Sequence, residues 1–238
     1  MPPSSAARSK IEPLVITIDG PAGVGKSTVA KLLARRLKLG YLDTGATYRA
    51  LAYRALSLGL DPRDERRMAR LAAGLRLVFK RTDWGRVRIL LDGRDVTRRI
   101  RTEPVTEAAA VVAQHPRVRA VLVRLQRRLV RSRRLVVEGR DTGTVVFPRA
   151  SYKFFLTAAP RVRAGRRRME LQEVQGRSPS LSAIAGQLRA RDRLDRRRRI
   201  GPLVKPSGAV VVDTSRLAAR DVVKRMLRHL PPAISNSH

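Results

Sequence analysis

The stretch Gly20-Pro21-Ala22-Gly23-Val24-Gly25-Lys26-Ser27 constrains this chain more than any other, because it fits the phosphate-loop pattern G-x-x-x-x-G-K-[ST]. Its surroundings are the ones the pattern requires. The apolar run Leu14-Val15-Ile16-Thr17-Ile18 before it reads as a buried parallel strand. The segment from Thr28 to Leu39 after it reads as a helix, with Val29, Leu32, Leu33 and Leu37 on one side and Lys31, Arg35 and Arg36 on the other. Glycines in such a turn let backbone N–H groups point inward around phosphate oxygens, and the helix N-terminus adds its positive dipole end. Lys26 is expected to reach the β- and γ-phosphates of a nucleotide, and the Ser27 hydroxyl to ligate Mg²⁺.

At 238 residues the chain suits one α/β domain with insertions. With no cysteine, thiolate catalysis and Cys-ligated zinc are excluded. The three histidines, His115, His229 and His238, are scattered without metal-ligand spacing. No apolar run approaches the length of a membrane span, and residues 1–11 read as a polar leader without the apolar stretch of a signal peptide. A cytoplasmic monomer is the expectation.

Charge is the unusual feature. The formal net charge is +33, and 44 of the 52 basic residues are arginine. Guanidinium suits bidentate phosphate binding, so weak nonspecific affinity for polyanions is expected. The arginines run along almost the whole chain, however, and only 4% of residues are aromatic, too few for an obvious base-stacking platform. No specific nucleic-acid partner follows from this composition.

Strand and helix patterns alternate along the chain. Tyr41-Leu42-Asp43 reads as a short strand, followed by a helix through Leu58 and another over 64–74. The period then becomes two: Leu75–Phe79 and Val87–Leu91 read as a hairpin around Thr82-Asp83-Trp84-Gly85, with Asp95-Val96-Thr97 as a third short strand. Helix follows from Thr102 to Arg133, broken at Pro116. Leu135–Glu138, Lys153–Leu156 and Ala209–Asp213 read as core strands, the last two separated by an arginine-dense helical pair over 161–199. Strands separated by helices predict a parallel sheet with ligands at the carboxyl ends of its strands.

Arginine paired with carboxylate just beyond strand ends points to phosphoryl transfer to a small acceptor: Asp43 with Arg49, and Glu138, Arg140 and Asp141 in one run. No guanine-recognition motif of the N/T-K-x-D kind is present. An RNA-associated P-loop ATPase is the reading from another class; interleaved carboxylates in the run 191–198 argue against a phosphate-backbone surface there.

Several blocks then resemble the bacterial-type cytidylate kinases, of the P-loop nucleoside monophosphate kinase family. They are Ile16 to Thr28, Tyr41 to Arg49, Ile100 to Glu103, Pro116 to Arg119, Gly139 to Pro148 and Arg191 to Arg198, in order over about residues 14–215. The resemblance implies an α/β P-loop kinase fold of three layers, with a parallel central sheet, an inserted monophosphate-binding subdomain holding the small antiparallel sheet, and a helical lid. It divides a domain over 12–230 into a core (12–43, 134–160 and 200–230), a monophosphate-binding subdomain at about 44–133 and a lid at about 161–199, with a tail over 231–238. The activity it implies is Mg²⁺-dependent transfer from ATP to CMP or dCMP, with a UMP kinase as the near alternative.

Site residues follow from the same resemblance. Gly20 to Thr28 would bind ATP, with Arg163, Arg167 or a neighbour approaching the triphosphate from the lid. Thr44, Tyr48, Arg49, Arg119, Arg140, Asp141, Arg191, Asp195 and Arg198 would bind CMP. Among these, Arg49, Arg140 and Arg198 would grip the acceptor phosphate, Arg119 and Asp141 would face the cytosine, and Asp195 would take the sugar hydroxyls beside Arg191. Lys26, Arg140, Arg167 and Arg198 would carry the transfer. A carboxylate facing the base suits cytosine, which presents an amine donor where uracil presents a carbonyl acceptor. The chain departs from the family at Ala110, where a base-contacting serine is usual, at Glu138, where aspartate is usual, and at Arg193-Leu194, in place of a more polar pair.

Overall fold

A computed structural model describes residues 14–81, 87–130, 134–176 and 179–235. The leader 1–11, the hairpin turn 82–85 and the end of the tail lie outside the described residues. Five strands form the central sheet: β1 (Val15–Asp19), β2 (Gly40–Asp43), and three more whose numbers follow a small second sheet in the chain. That second sheet is antiparallel and consists of β3 (Leu77–Arg81), β4 (Val87–Leu91) and β5 (Arg94–Asp95). The central sheet is completed by β6 (Leu135–Gly139), β7 (Tyr152–Thr157) and β8 (Val210–Asp213). Its order is β2-β6-β1-β7-β8, with every pairing parallel.

Register aligns the carboxyl ends: Asp19 lies opposite Gly139, and Asp43 opposite Glu138. The chemistry-bearing residues therefore gather at one edge of the sheet. Period-two alternation divides the sheet's two faces. Ile16, Ile18, Val136, Phe154 and Val212 pack with helix α1 (Lys26–Arg36), whereas Val15, Leu42, Leu135 and Val137 form a second cluster with Val130. Phe154 is fully buried in β7. Phe154→Ala should cost about 3–5 kcal/mol of stability, read as a lowered urea midpoint.

A separate large core holds helices α2 (Thr44–Ser57), α3 (Glu65–Ala73), α4 (Glu103–Val112) and α5 (Pro116–Val130) against the small sheet. Met68, Leu51, Ile100 and Leu122 are among its largest fully buried members. A fourth cluster, Ala164, Leu171, Ile184 and Leu188, joins α6 (Pro160–Gln175) to α7 (Leu181–Arg196). Helix α8 (Ala219–Leu227) covers the sheet beside α1, and a short α9 (Pro232–Ser235) follows.

Local expectations shift at their edges. The first helix begins two residues early, at Lys26, and stops at Arg36; Lys38 takes a φ of 52°, which ends the turn. The first hairpin strand runs Leu77–Arg81 rather than 75–79. The third small strand is Arg94–Asp95 rather than 95–97. There the Asp95 carboxylate accepts from Thr97 N at 2.9 Å, and the Thr97 hydroxyl accepts from Ile89 N at 2.9 Å. A side chain thus replaces a backbone rung of the ladder. Pro116 opens α5 at its first residue, where its missing N–H has no helical partner to lose.

Candidate active site

The phosphate loop is held open by backbone conformations that few residues adopt. Gly25, which precedes α1, has φ 89°, and Gly20 has φ 148° with the carbonyl of Leu156 where a β-carbon would stand. Asp19 anchors the loop's entry. Fully buried, its carboxylate accepts from Thr142 N and the Thr142 hydroxyl, both at 2.8 Å, and from Gly143 N at 2.7 Å. Burial pushes its pKa up against those bonds. Thr142 and Gly143 begin a π-helical turn, Thr142–Val146, directly after β6.

Lys26 is buried, and its Nζ donates to the Pro21 carbonyl at 2.6 Å. Burial and Arg140 hold its pKa well below the ordinary lysine value, opposed by Glu138, Asp19 and Asp195. Two carboxylates at neighbouring strand ends line the same cavity as Lys26. Glu138 accepts from the Tyr41 hydroxyl at 2.5 Å and from the Ser27 side chain; burial and Asp43 raise its pKa. Asp43 caps α2 by accepting from Ala46 N at 3.0 Å, and it pairs with Arg49 at 2.6 Å and Arg101 at 3.7 Å. Burial would raise its pKa, but the two guanidinium groups outweigh that and hold it below the carboxylate range.

A cavity of about 910 Å³ opens from the loop across these carboxylates to α4, α5 and α7, within the range of nucleotide-sized sites. Asp195 on α7 is shared by Arg140, whose Nε donates to it at 2.8 Å, and by Arg198. Burial would raise Asp195, yet Arg140, Arg198 and Arg191 together lower its pKa. Arg191 itself is brought down to about 10 by burial and by Arg140. At the far end, Arg119 is almost completely buried, hydrogen-bonded to Asp141 and lying 5.5 Å over the Tyr48 ring. Burial pushes Asp141 up to about 6 in spite of Arg119.

Arg49 and Arg101 thus share Asp43, Arg140 and Arg198 share Asp195, and Arg119 pairs with Asp141. The Nε atoms of Arg49, Arg119, Arg191 and Arg198 are buried without a hydrogen-bond partner among the described residues. Unpaired donors of this kind are costly unless an anion completes them.

Most of the residues singled out from sequence line this one cavity: Ala22, Gly23, Val24, Gly25, Lys26, Ser27, Thr28, Thr44, Tyr48, Arg49, Arg119, Arg140, Asp141, Arg167, Arg191, Asp195 and Arg198. Gly20 and Pro21 open the loop and do not line the cavity. Arg163 lies behind it: its Nε donates to the Ala22 carbonyl at 2.6 Å, and it pairs with Asp192 at 2.6 Å. The neighbouring Arg166 and Arg167 line the cavity instead. Arg167 pairs with Glu170 at 2.9 Å, while Arg166 donates to the Thr214 hydroxyl at 2.9 Å and carbonyl at 2.7 Å. The carboxylate partner of Arg140 is Asp195, not its sequence neighbour Asp141, because successive side chains at a strand end point apart.

Sequence reading did not single out Arg101, Arg166, Thr214 or, as site residues, Asp43 and Glu138. The last two carried a usable signal, as carboxylates ending strands on one side of the phosphate-loop strand. Thr214 and Arg166 carried none, since their roles arise from contacts with Val24 across the fold.

A parallel sheet with a phosphate loop after its central strand and an arginine-lined cavity at its carboxyl edge defines a P-loop nucleotide-binding protein of the phosphotransferase kind. A solved structure of an uncharacterized protein from Eubacterium ventriosum shares the fold, with a TM-score of 0.50 at 8% identity over 91% of this chain and 97% of that one. The family model described as cytidylate kinase matches residues 16–231, so the chain belongs to the cytidylate kinase family. The cytidylate kinase of Pelotomaculum thermopropionicum is 45% identical over 89% of this chain and 93% of its own length. That of Geobacillus kaustophilus is likewise 45% identical, over 89% and 94%.

Proposed function

We propose that this chain transfers the γ-phosphoryl group of ATP to CMP and dCMP, giving ADP and the corresponding diphosphate. The observation that carries this reading is the cavity that runs from the phosphate loop to four guanidinium groups whose buried Nε donors have no partner among the described residues. In it, residues 20–28 cradle the donor phosphates and Lys26 exchanges its bond to Pro21 for phosphate oxygens. Arg49, Arg140 and Arg198 hold the acceptor phosphate, with Thr44 beside them. Asp195 and Arg191 take the sugar hydroxyls. Tyr48, Arg119 and Asp141 face the base.

An oxygen of the acceptor phosphate attacks the γ-phosphorus, the bond from that phosphorus to the β–γ bridging oxygen breaks, and ADP departs. The attacking oxygen is already anionic, so no general base is needed. Arg167, which faces the cavity from the lid, neutralises charge on the group in flight and lid closure excludes water, while Arg163 braces the loop from behind through Ala22 and Asp192. The segments 44–133 and 161–199 act as the monophosphate-binding subdomain and the lid around a core of 12–43, 134–160 and 200–230.

Mg²⁺ fits the donor set: Ser27, Glu138 and Asp43 offer hard oxygen ligands on one wall of the cavity. Ser27 would hold the ion, and the two carboxylates would receive its water shell. When bound, it neutralises charge on the donor phosphates. No described helix is long and apolar enough to cross a membrane. A monomer is the state in which we expect the chain to act, checked by sedimentation.

The direct test is ADP release with ATP and Mg²⁺ over a panel of CMP, dCMP, UMP, AMP, GMP and single-stranded RNA. Release dependent on CMP or dCMP and weak with UMP supports the reading. Equal rates with UMP would make it a general pyrimidine kinase, a result to which the Ala110 methyl in the cavity wall would contribute. Hydrolysis stimulated by RNA alone would overturn it.

The pH dependence is also specified. Asp141, with its pKa pushed up to about 6, is the anion above that pH and the neutral acid below it. Its ability to accept from the cytosine amine therefore falls as pH drops through about 6. Phosphate ionisation of the acceptors lies near the same pH but cancels in a ratio. The ratio of kcat/KM for CMP to that for UMP should fall on the acid side of about 6, and Asp141→Asn should flatten it.

A further inference from the structure

Helix α7 separates its charges in a way the transfer reaction does not use. Its two acidic residues both turn inward: Asp192 to Arg163 and Asp195 to Arg140 and Arg198. Ile184 and Leu188 share that buried side. Arg189, Arg193 and Arg196, with Arg197 at the C-cap, lie on the opposite face, all exposed, and Arg199 just beyond the helix is exposed as well. None of these five side chains has an ion pair among the described residues. An ordinary solvated helix face mixes its signs; here carboxylates are confined to the interior and the surface is left purely cationic. Along one stripe, Arg189, Arg193 and Arg197 recur every four residues, a rise of about 6 Å each.

We infer that the outer face of α7 is a binding surface for single-stranded RNA, contacted through its phosphate backbone. The cationic row supplies charge complementarity, and arginine rather than lysine supplies planes on which unstacked bases can rest. Leu194 and Ile200, 48% and 42% exposed, flank the row and offer apolar support to those bases. A duplex hides its bases and gains nothing from that flank. A lipid surface needs a broader apolar face than two residues provide.

The experiment is fluorescence anisotropy of the full chain with a labelled oligouridylate of about 12 nucleotides, titrated between about 50 and 200 mM salt. Four phosphate contacts predict a log–log salt slope of about −3, a loss of about fifty-fold in affinity over that range. Combining Arg189→Gln, Arg193→Gln, Arg196→Gln and Arg197→Gln should remove most of the slope. The pair Arg189→Gln and Arg193→Gln should remove about half, which keeps the test open if the fourfold variant fails to fold. The control combines Arg66→Gln, Arg70→Gln, Arg124→Gln and Arg128→Gln, removing equal exposed charge from α3 and α5, and should keep the slope. CMP-dependent turnover, measured alongside, reports folding, since none of the four α7 arginines belongs to the transfer site.

Equal losses in the α7 and control variants would overturn the inference, leaving only diffuse charge. So would undetectable binding of the oligouridylate. Tighter binding to duplex DNA of equal charge, to inorganic polyphosphate, or to vesicles of phosphatidylcholine and phosphatidylserine would each overturn the choice of partner.

Discussion

Lys26→Ala should lower CMP-dependent turnover by about a thousand-fold or more while the protein stays folded. The ammonium is the one cation buried within the phosphate loop itself, and its Nζ is held by the Pro21 carbonyl, ready to be released to phosphate. Preorganised charge in a site with little water is worth several kcal/mol at the transition state. Folding stability should change far less. Lys26 is desolvated and stands near Arg140, so its removal also relieves a burial cost, and Glu138 beside it is already biased toward the neutral acid by burial and by Asp43. Steady-state kinetics with ATP and CMP, together with circular dichroism and a thermal melt, check both halves. Turnover within tenfold of the parent would remove Lys26 from the mechanism.

Arg119→Met should show the reverse balance, a large loss of stability together with a loss of base selectivity. Arg119 is 1% exposed, and its guanidinium is the partner of Asp141. Removing one member of a buried pair strands the other, which typically costs about 3–5 kcal/mol. Asp141, already near 6, should then be driven further toward the neutral acid, so that at pH 7 it accepts less well from a cytosine amine. The double variant Arg119→Met with Asp141→Leu removes both charges and should regain most of the lost stability without regaining selectivity for CMP over UMP. Urea denaturation of the two single variants and the double closes the cycle. If Arg119→Met is as stable as the parent, the pair does not hold this end of the cavity together.

The two variants probe parts of the site that differ in how far the sequence reveals them. The loop from Gly20 to Ser27 is local: strand, turn and helix follow within one short stretch, and glycine conformation, dipole and lysine all act over neighbouring residues. The five parallel strands were legible for the same reason, as short apolar runs separated by helical periods. The boundary of the third small strand slipped because a side chain intervened in the backbone pattern, that of Thr97 beside β4. The arginines were legible as candidates but not in their pairings. Arg119 meets Asp141 across 22 positions, and Arg140 meets Asp195 across 55. In a chain with 44 arginines, composition alone ranks none above another. Resemblance to a family did the ranking, and it spoke for residue roles rather than for contacts in this chain.

By itself, the sequence determined that this is a P-loop α/β chain and which family it belongs to, because those properties rest on short-range patterns and on ordered blocks. Tertiary structure alone decided that Arg163 lies behind the loop while Arg166 and Arg167 face the cavity. It also decided that Asp19 ties the loop to the turn after β6 across 123 positions, and that every carboxylate of α7 is turned inward. The reason is that ion pairs in a buried site are set by strand register and helix phase, and both emerge only when distant segments pack.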